Sequence, residues 1–228
     1  MSQNPIIIAL DVESAAEART LVHQIGDACR FYKVGLELFA AAGPEFVTEL
    51  REGGNRIFLD LKMYDIGETV KRAVRQVSKL GVDFLTVHAV PQVMRAAVEG
   101  ASGSSLKILG VTVLTSFDNT DLEEMGHHST VAELVALRVE QAVAAKVHGV
   151  VCSPREVAAV RAAAGPDFQL ITPGVRSAGA AVGDQKRVAT PADAMRDGAS
   201  YLVIGRQVTR AHDPAGEVHR ILGELSFD

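Results

Sequence analysis

Short apolar runs alternate with amphipathic stretches from one end of this 228-residue chain to the other. Eight of the runs have the length and residue content of buried strands, and helical patterns separate them. The predicted strands are Ile6–Leu10, Phe31–Gly35, Ile57–Asp60, Phe84–His88, Ile108–Leu114, Gly149–Cys152, Gln169–Thr172 and Tyr201–Ile204. Eight such units predict a (β/α)8 TIM barrel, a fold of about 250 residues. A doubly wound open sheet is the alternative topology, because it uses the same alternation.

Helix start signals follow several of these runs. Each consists of Ser or Thr at the N-cap position with an acidic residue three positions later. The four signals are Ser14 with Glu17, Thr130 with Glu133, Ser153 with Glu156 and Thr190 with Asp193. A proline occupies the first helical position after Ser153 and after Thr190, and Gly26 is placed to end the first helix. The sequence shows no linker or change in composition, so we expect a single domain over residues 1–228.

The charge balance restricts the partners of the protein. A formal net charge of −5 argues against a nucleic-acid partner or a membrane-surface partner. An anionic ligand would therefore have to be bound by a few locally placed cations. The two cysteines, Cys29 and Cys152, are too few for a disulfide scaffold, and the apolar run near the N-terminus is too short for a signal or membrane segment. We expect a cytoplasmic, soluble protein.

A group of alternating charges follows the third predicted strand. Asp60, Lys62 and Asp65 are separated by two and three positions, and Lys33 lies in the second strand. Residues two apart on a strand point to the same face, so Asp60 and Lys62 are expected to be neighbours. Charges at the inner side of an apolar strand are costly unless they are paired. The pattern predicts an active site, with a structural ion-pair network as the alternative.

Other polar residues end further strands. They are Asp11, His88, the segment Thr115–Thr120, the segment Pro173–Arg176 and the pair Gly205-Arg206. Active sites of barrels lie at the carboxyl ends of the strands, and a phosphate often binds near strands 7 and 8. Glycine lets a ligand approach the backbone and arginine can bind two phosphate oxygens, so Gly205-Arg206 predicts a phosphate site. The stretch Gly174–Thr190 has no clear period and is expected to be a lid or binding loop.

At these positions the chain resembles the orotidine 5′-phosphate decarboxylase family, of the short bacterial type. The resemblance extends in the family's order over nearly the whole chain. The segments that carry it are Ala9–Asp11, Lys33–Gly35, Phe58–Ile66, Val111–Ser116, Val151–Pro154, Thr172–Arg176, Gly183–Arg187 and Gly205-Arg206. It implies a barrel of the ribulose-phosphate-binding type and a homodimer whose active sites are shared across the interface. It also implies conversion of orotidine 5′-monophosphate to uridine 5′-monophosphate and CO2, the last step of de novo pyrimidine synthesis, without a cofactor or a metal.

The resemblance also implies roles for particular residues. The implied catalytic residues are Lys62, Asp60, Asp65 and Lys33. The implied substrate-binding residues are Asp11, Lys33, Asp60, Ile66, Thr69, Thr120, Pro173, Arg176, Gln185, Gly205 and Arg206. Within these sets, Lys62 would donate the proton to C6 of the pyrimidine, and Asp65, Ile66 and Thr69 would reach the neighbouring subunit's site. Gln185 and Arg206 would hold the phosphate.

Two other functions remain open from the sequence. The 3-keto-gulonate-phosphate decarboxylase and hexulose-phosphate synthase group resembles this pattern but carries a glutamate in place of Lys33. That glutamate helps to bind Mg2+, whereas a lysine would repel the ion. The second alternative is a catalytically silent barrel that binds a phosphorylated metabolite. The complete set of Asp60, Lys62 and Asp65 argues against it.

Overall fold

The computed structural model describes residues 4–177 and 189–225, and these form a closed barrel of eight parallel strands in the order β1 to β8. The strands are β1 (Ile6–Ala9), β2 (Phe31–Gly35), β3 (Arg56–Met63), β4 (Phe84–His88), β5 (Lys107–Val111), β6 (Gly149–Val151), β7 (Gln169–Thr172) and β8 (Tyr201–Ile204). Pairing of β1 with β8 closes the barrel. The predicted barrel is confirmed, and the open sheet is excluded.

The α-helices of the described residues pack around the barrel. They are α1 (Ala15–Ile25), α2 (Leu36–Glu52), α3 (Gly67–Ser78), α4 (Pro91–Gly100), α5 (Asn119–Glu124), α6 (Val131–Ala144), α7 (Val157–Ala164), α8 (Pro191–Arg196), α9 (Arg206–Thr209) and α10 (Pro214–Glu224). Short 3-10 helices span Gly26–Ala28 and Pro154–Glu156. Helix α2 is interrupted at Gly43, whose φ of 69° is not helical and which precedes Pro44.

Two strand boundaries differ from the prediction in a way that matters for the site. Strand β3 continues to Met63 rather than ending at Asp60, so Lys62 lies within the strand. Strand β5 ends at Val111 rather than at Leu114. The apolar residues Val113 and Leu114 misled the prediction because they line a cavity instead of continuing the strand.

The predicted helix starts agree with the observed caps. Both halves of a capping box form at Thr130 and at Ser153, although Ser153 caps the 3-10 turn that precedes α7. The Ser14 hydroxyl accepts the Glu17 N–H at 3.2 Å, which is the serine half of the box predicted there. The Thr190 hydroxyl accepts the Asp193 N–H at 3.2 Å.

An aromatic cluster fills the amino-terminal end of the barrel. The rings of Phe31, Phe84 and Tyr201 lie 5.4–5.5 Å from one another, and the Arg56 guanidinium lies 4.0 Å from the centre of the Phe31 ring. Arg56 is also paired with Asp83 at 2.8 Å, which holds its charge over the rings. The polar strand-end residues lie around a cavity at the opposite, carboxyl end.

No helix in the described part of the chain is both long enough and apolar enough to cross a membrane. Cys29 and Cys152 both lie buried.

Candidate active site

The carboxyl end of the barrel holds a cavity of about 480 Å³. It brings together eight of the residues predicted from the sequence. These are Asp11, Lys33, Asp60, Lys62, Pro173, Arg176, Gly205 and Arg206. They come from the ends of strands β1, β2, β3, β7 and β8, so the barrel closure collects at one place residues that are almost 200 positions apart in the sequence.

Four charged side chains form a continuous chain of ion pairs at one side of the cavity. The Lys33 Nζ lies 2.8 Å from Oδ1 of Asp11 and 3.5 Å from Oδ2 of Asp60. The Lys62 Nζ lies 2.8 Å from the same Oδ2 of Asp60. Two ammonium groups therefore share one carboxylate oxygen, and each cation in this part of the site has an anion within contact distance.

The second oxygen of Asp60 is fixed by Thr86 on the neighbouring strand β4. The Thr86 hydroxyl donates to Oδ1 of Asp60 at 2.8 Å, and the Thr86 hydroxyl oxygen accepts the backbone N–H of Lys62 at 3.0 Å. Thr86 is completely buried. It thus fixes the orientation of the carboxylate and the path of the backbone that carries the lysine.

The backbone at Lys62 is bent out of regular strand geometry. The pairing of β3 with β4 changes register between Leu59 and Met63, which marks a bulge. Lys62 has a φ of 47°, which lies in the left-handed region that residues with a Cβ rarely adopt. Such a conformation costs on the order of 1–3 kcal/mol and is characteristic of functional sites. Asp60 and Lys62 are neighbours as predicted, but the contact depends on this bulge rather than on simple strand alternation.

Glycine at position 35 leaves space for the ion pair beside it. Gly35 is the register partner of Asp60 on the adjacent strand. A Cβ at Gly35 would stand 3.1 Å from Nζ of Lys33 and 3.2 Å from Oδ1 of Asp11. These distances are shorter than ordinary side-chain packing, so a Cβ at this position would push Nζ of Lys33 and Oδ1 of Asp11 by a few tenths of an ångström.

The charges within the cluster stabilise one another. Burial opposes the charge on Lys33, but the Asp60 and Asp11 carboxylates outweigh it and raise the lysine pKa above its ordinary value. Burial likewise opposes the charge on Asp60, and the ammonium groups of Lys33 and Lys62 outweigh it, so the Asp60 pKa is lowered. Both groups are therefore charged at neutral pH, which places a fixed pattern of charge inside a largely desolvated site.

The opposite side of the cavity is cationic. Arg176 follows β7 and Arg206 follows β8, and both line the cavity with Gly205. Burial, followed by the charge of Arg206, lowers the pKa of Arg176, which indicates two guanidinium groups facing the same space. Arg210, one helical turn after Arg206, also lines the cavity and was not predicted. Its spacing of four residues from Arg206 was the available signal, since residues four apart share a helix face.

The predicted loop Gly174–Thr190 is described only at its ends. There Val175 forms a parallel bridge with Ala189, and the Arg176 N–H donates to the Ala189 carbonyl at 3.0 Å. Gln185 lies outside the described residues, so its predicted contact with phosphate stays a prediction.

Four predicted site residues lie away from the cavity of their own chain. Asp65, Ile66, Thr69 and Thr120 are all exposed. The Asp65 carboxylate accepts the N–H of Ile66 at 2.6 Å, and the Thr120 N–H donates to Asp118 at 3.0 Å in the cap of α5. Contacts of Asp65, Ile66 and Thr69 with a partner subunit's site, and of Thr120 with the pyrimidine, stay predictions.

His88, at the end of β4, lies beside this region as well. Its ring packs edge-on against Tyr64 with the ring centres 5.7 Å apart. Burial, with the charges of Arg138 and Lys62, lowers the His88 pKa, so the ring is neutral at pH 7. It thus contacts Tyr64, the exposed residue that precedes Asp65.

Within residues 4–177 and 189–225, no group of three or more histidine, cysteine, aspartate or glutamate side chains is arranged to hold a metal ion. The cations nearest the Asp60 carboxylate are the two lysines.

Comparison with known proteins supplies relatives over almost the full length. The sequence profile described as "Orotidine 5'-phosphate decarboxylase / HUMPS family" matches residues 4–221. A curated "Orotidine 5'-phosphate decarboxylase" of Caulobacter sp. (strain K31) is 51% identical over 227 residues, which cover 99% of both proteins. One of the same name from Bradyrhizobium sp. (strain ORS 278) is 50% identical over 97% of this chain and 91% of its own length. The crystal structure of orotidine 5'-phosphate decarboxylase from Lactobacillus acidophilus superposes with a TM-score of 0.88 at 35% identity, covering 99% of this chain and 100% of that one.

Proposed function

This chain belongs to the orotidine 5'-phosphate decarboxylase / HUMPS family, and we propose that it decarboxylates orotidine 5′-monophosphate without a metal ion or cofactor, with Lys62 as the proton donor. Decarboxylation of this nucleotide, a step of pyrimidine biosynthesis, is the activity that the names of relatives near 50% identity carry. The family description also includes a second group, so the choice between them depends on those relatives and on the site.

The observation that carries the proposal is the chain of ion pairs that ends at Lys62. An ammonium group 2.8 Å from Asp60 lines one side of the cavity, and Arg176 and Arg206 line the other. A substrate with a phosphate at one end and a reacting carbon at the other fits this separation of functions. Neither half alone would select such a substrate.

The chemistry of the substrate explains the need for a fixed cation. Loss of CO2 from C6 leaves the bonding electron pair in the plane of the pyrimidine ring, where no carbonyl group can delocalise it. The remaining means of catalysis are electrostatic stabilisation of the forming carbanion and its protonation. The Lys62 ammonium provides both: it stabilises the negative charge, then transfers its proton to C6 and becomes a neutral amine. Water restores the proton after the product leaves.

Asp60 acts mainly by holding Lys62 in position. Its buried carboxylate contacts both lysines and is fixed by the Thr86 hydroxyl, so it can keep the Lys62 ammonium at one place in the cavity. Repulsion between Asp60 and the substrate carboxylate would disappear as CO2 departs, which would be a second contribution to the rate. Under either account, removal of Asp60 is expected to be severe.

The phosphate side supplies binding energy that positions the ring. Arg176 and Arg206 lie at the β7 and β8 side, and Asp11 with Lys33 lies next to the reacting group, where the ribose hydroxyls would bind. Interactions at a non-reacting part of a substrate can be used to orient the reacting part. Pro173 and Gly205 line the same cavity and would pack against the bound nucleotide.

Lys33 favours this reaction over the Mg2+-dependent chemistry of the sugar-phosphate group. Its ammonium lies 3.5 Å from Asp60 and 2.8 Å from Asp11, the two carboxylates that would otherwise be available to a metal. A divalent cation placed between them would be repelled by Lys33 and by Lys62.

A homodimer accounts for the residues that face away from the cavity. Leu36, Tyr64 and Ile66 are 61%, 68% and 74% exposed, an unusual amount of apolar surface for neighbours of a charged site. We propose that this surface, with Asp65 and Thr69, meets a second copy of the chain and completes its site. We also propose a cytoplasmic enzyme, folded as one domain over residues 1–228, with no nucleic-acid or membrane partner.

The test is the ultraviolet absorbance of orotidine 5′-monophosphate mixed with purified protein in excess EDTA. Loss of the substrate band with formation of uridine 5′-monophosphate is the expected result. Loss of the substrate band only after Mg2+ is added would contradict the metal-free reaction and favour the metal-dependent group. An unchanged spectrum under both conditions would contradict the proposed function.

A further inference from the structure

A cluster of hydrogen-bonded side chains lies behind the two arginines, outside the cavity. It consists of Ser177, Gln207, Glu217, Arg220 and Glu224, and we call it the Ser177 cluster. The cluster joins three elements: the segment after β7, helix α9 after β8, and helix α10. The proposed reaction uses none of its members.

The Ser177 hydroxyl is the centre of the cluster and is saturated with partners. It donates to Oε2 of Glu224 at 2.9 Å and accepts from Nε2 of Gln207 at 2.8 Å and from Nη2 of Arg220 at 3.0 Å. One donor and two acceptor positions are all that a hydroxyl has. Because Ser177 is only 4% exposed, loss of this oxygen could not be replaced easily by water.

Gln207 connects to Ser177 through both ends of its amide. Its oxygen accepts the Ser177 backbone N–H at 3.3 Å, and its nitrogen donates to the Ser177 hydroxyl and to Oε1 of Glu217 at 2.9 Å. Arg220 is paired with Glu217 and Glu224, so the two carboxylates and the guanidinium fix the far side of the cluster. Ser177 and Gln207 are therefore joined by two hydrogen bonds, and the ion pairs of Arg220 with Glu217 and Glu224 support this contact.

The contact between Ser177 and Gln207 joins the two chain segments that carry the arginines of the cavity. Ser177 directly follows Arg176, and Gln207 directly follows Arg206. The two arginines come from different strand ends and line the same cavity, where like charges repel. A contact between the residues next to them opposes that repulsion before any anion is bound.

We propose that Ser177 and Gln207 are positioning residues that hold Arg176 and Arg206 together on one phosphate group of the substrate. The proposal rests on the proposed function for the identity of the substrate. It assigns to the Ser177 cluster a role beyond attaching α10 to the barrel. The hydrogen bonds of the cluster offset the repulsion between the two cations before the phosphate binds, so less of the binding free energy of the phosphate is lost to that repulsion.

The test compares variants on substrates with and without the phosphate. Ser177→Ala removes the central hydroxyl, and Gln207→Met removes the amide while keeping the length of the side chain. The kcat and KM of each are measured on orotidine 5′-monophosphate and on orotidine, and the dissociation constant of uridine 5′-monophosphate is measured by calorimetry. We expect either variant to lose about tenfold in kcat/KM on the nucleotide, mainly through KM, and less than about twofold on the nucleoside. The double variant should be no worse than about the poorer single variant, because both remove one contact.

Ser200→Ala is the matched control. The Ser200 hydroxyl also accepts from an arginine, Arg161 at 3.1 Å, and from a backbone N–H, that of Leu170 at 3.0 Å, at the opposite end of the same two strands. This variant should change both substrates equally, in proportion to its effect on thermal unfolding.

Equal losses on nucleotide and nucleoside in Ser177→Ala and Gln207→Met, or a nucleotide-selective loss in Ser200→Ala, would overturn the proposal. These outcomes differ from failure of the proposed function, which would appear as an inactive wild-type protein. In that case, a dissociation constant for uridine 5′-monophosphate that is unchanged by both cluster variants would still refute the positioning role.

Discussion

Replacement of Thr86 by valine tests whether a buried hydroxyl holds the reacting lysine in place. Valine keeps the shape of threonine and removes only the oxygen that joins Asp60 to the Lys62 backbone. The variant therefore leaves Oδ1 of Asp60 without the Thr86 donor and the Lys62 N–H without its acceptor. Every charged residue of the site is retained in this variant.

The expected cost follows from the two contacts that are lost. A hydrogen bond to a charged group contributes about 1.5–3 kcal/mol and a neutral one about 1 kcal/mol. The Thr86→Val variant should lose about 3 kcal/mol in the free energy of unfolding, or roughly 6–12 °C in Tm for a chain of this size. Since φ at Lys62 is held at 47° partly by this contact, the ammonium should also shift, and kcat should fall about 100-fold.

Thr112→Val is the matched control for this measurement. Thr112 is equally buried, but its hydroxyl donates to the backbone carbonyl of Val151 at 3.0 Å rather than to the charged cluster. It should lose about 1 kcal/mol and little activity. Thermal unfolding and steady-state turnover at a temperature where both variants are folded would separate the two. If Thr86→Val unfolds like Thr112→Val and keeps kcat within about threefold of wild type, the reasoning about the bulge is wrong.

Further outcomes are expected for one substitution, for mixed dimers and for changes of pH. Arg206→Ala should lower kcat/KM on orotidine 5′-monophosphate about 100-fold or more and barely affect orotidine, and equal losses on the two would contradict a phosphate role. Mixing inactive Lys62→Ala and Asp65→Ala dimers should restore about a quarter of wild-type activity, because half of randomly paired dimers are hybrids with one intact site; no recovery despite demonstrated subunit exchange would argue against shared sites. The stability that Asp60 contributes should be complete above the ordinary aspartate pKa of about 3.9 and be lost as pH falls through its lowered pKa. The stability from Lys33 should be complete below the ordinary lysine pKa of about 10.4 and be lost as pH rises through the raised pKa of Lys33. Unfolding of Asp60→Asn measured across pH should lack the loss of stability on the acid side.

The barrel and the identity of most site residues could be predicted because their signals are local. Each strand appears as an apolar run, and several of the residues that line the cavity lie at the end of such a run or within a few positions after it. Thus Arg206 could be placed at the mouth of the barrel from its position after the last strand. Helix starts were readable for the same reason, since the Thr130 cap is satisfied by a residue only three positions away.

The parts that could not be predicted depend on contacts between strands. At the bulge the Lys62 N–H donates to the hydroxyl of Thr86, 24 positions further along, and the sequence near either residue gives no sign of this contact. The same holds for Gly35, whose lack of a side chain matters only because Lys33 and Asp11 cross above it. Ser177 and Gln207, 30 positions apart, read individually as ordinary polar residues.

The left-handed backbone at Lys62 affects how the catalytic contribution of this residue can be measured. Alanine scanning treats alanine as a neutral reference, but at a φ of 47° alanine retains the Cβ that makes the conformation costly while losing the ammonium that justifies it. Glycine adopts this region without that penalty. At position 62, glycine is the appropriate baseline. A decrease in rate measured with the alanine variant would combine two effects: the loss of the proton donor, and any local rearrangement of the backbone that relieves the strain at the Cβ.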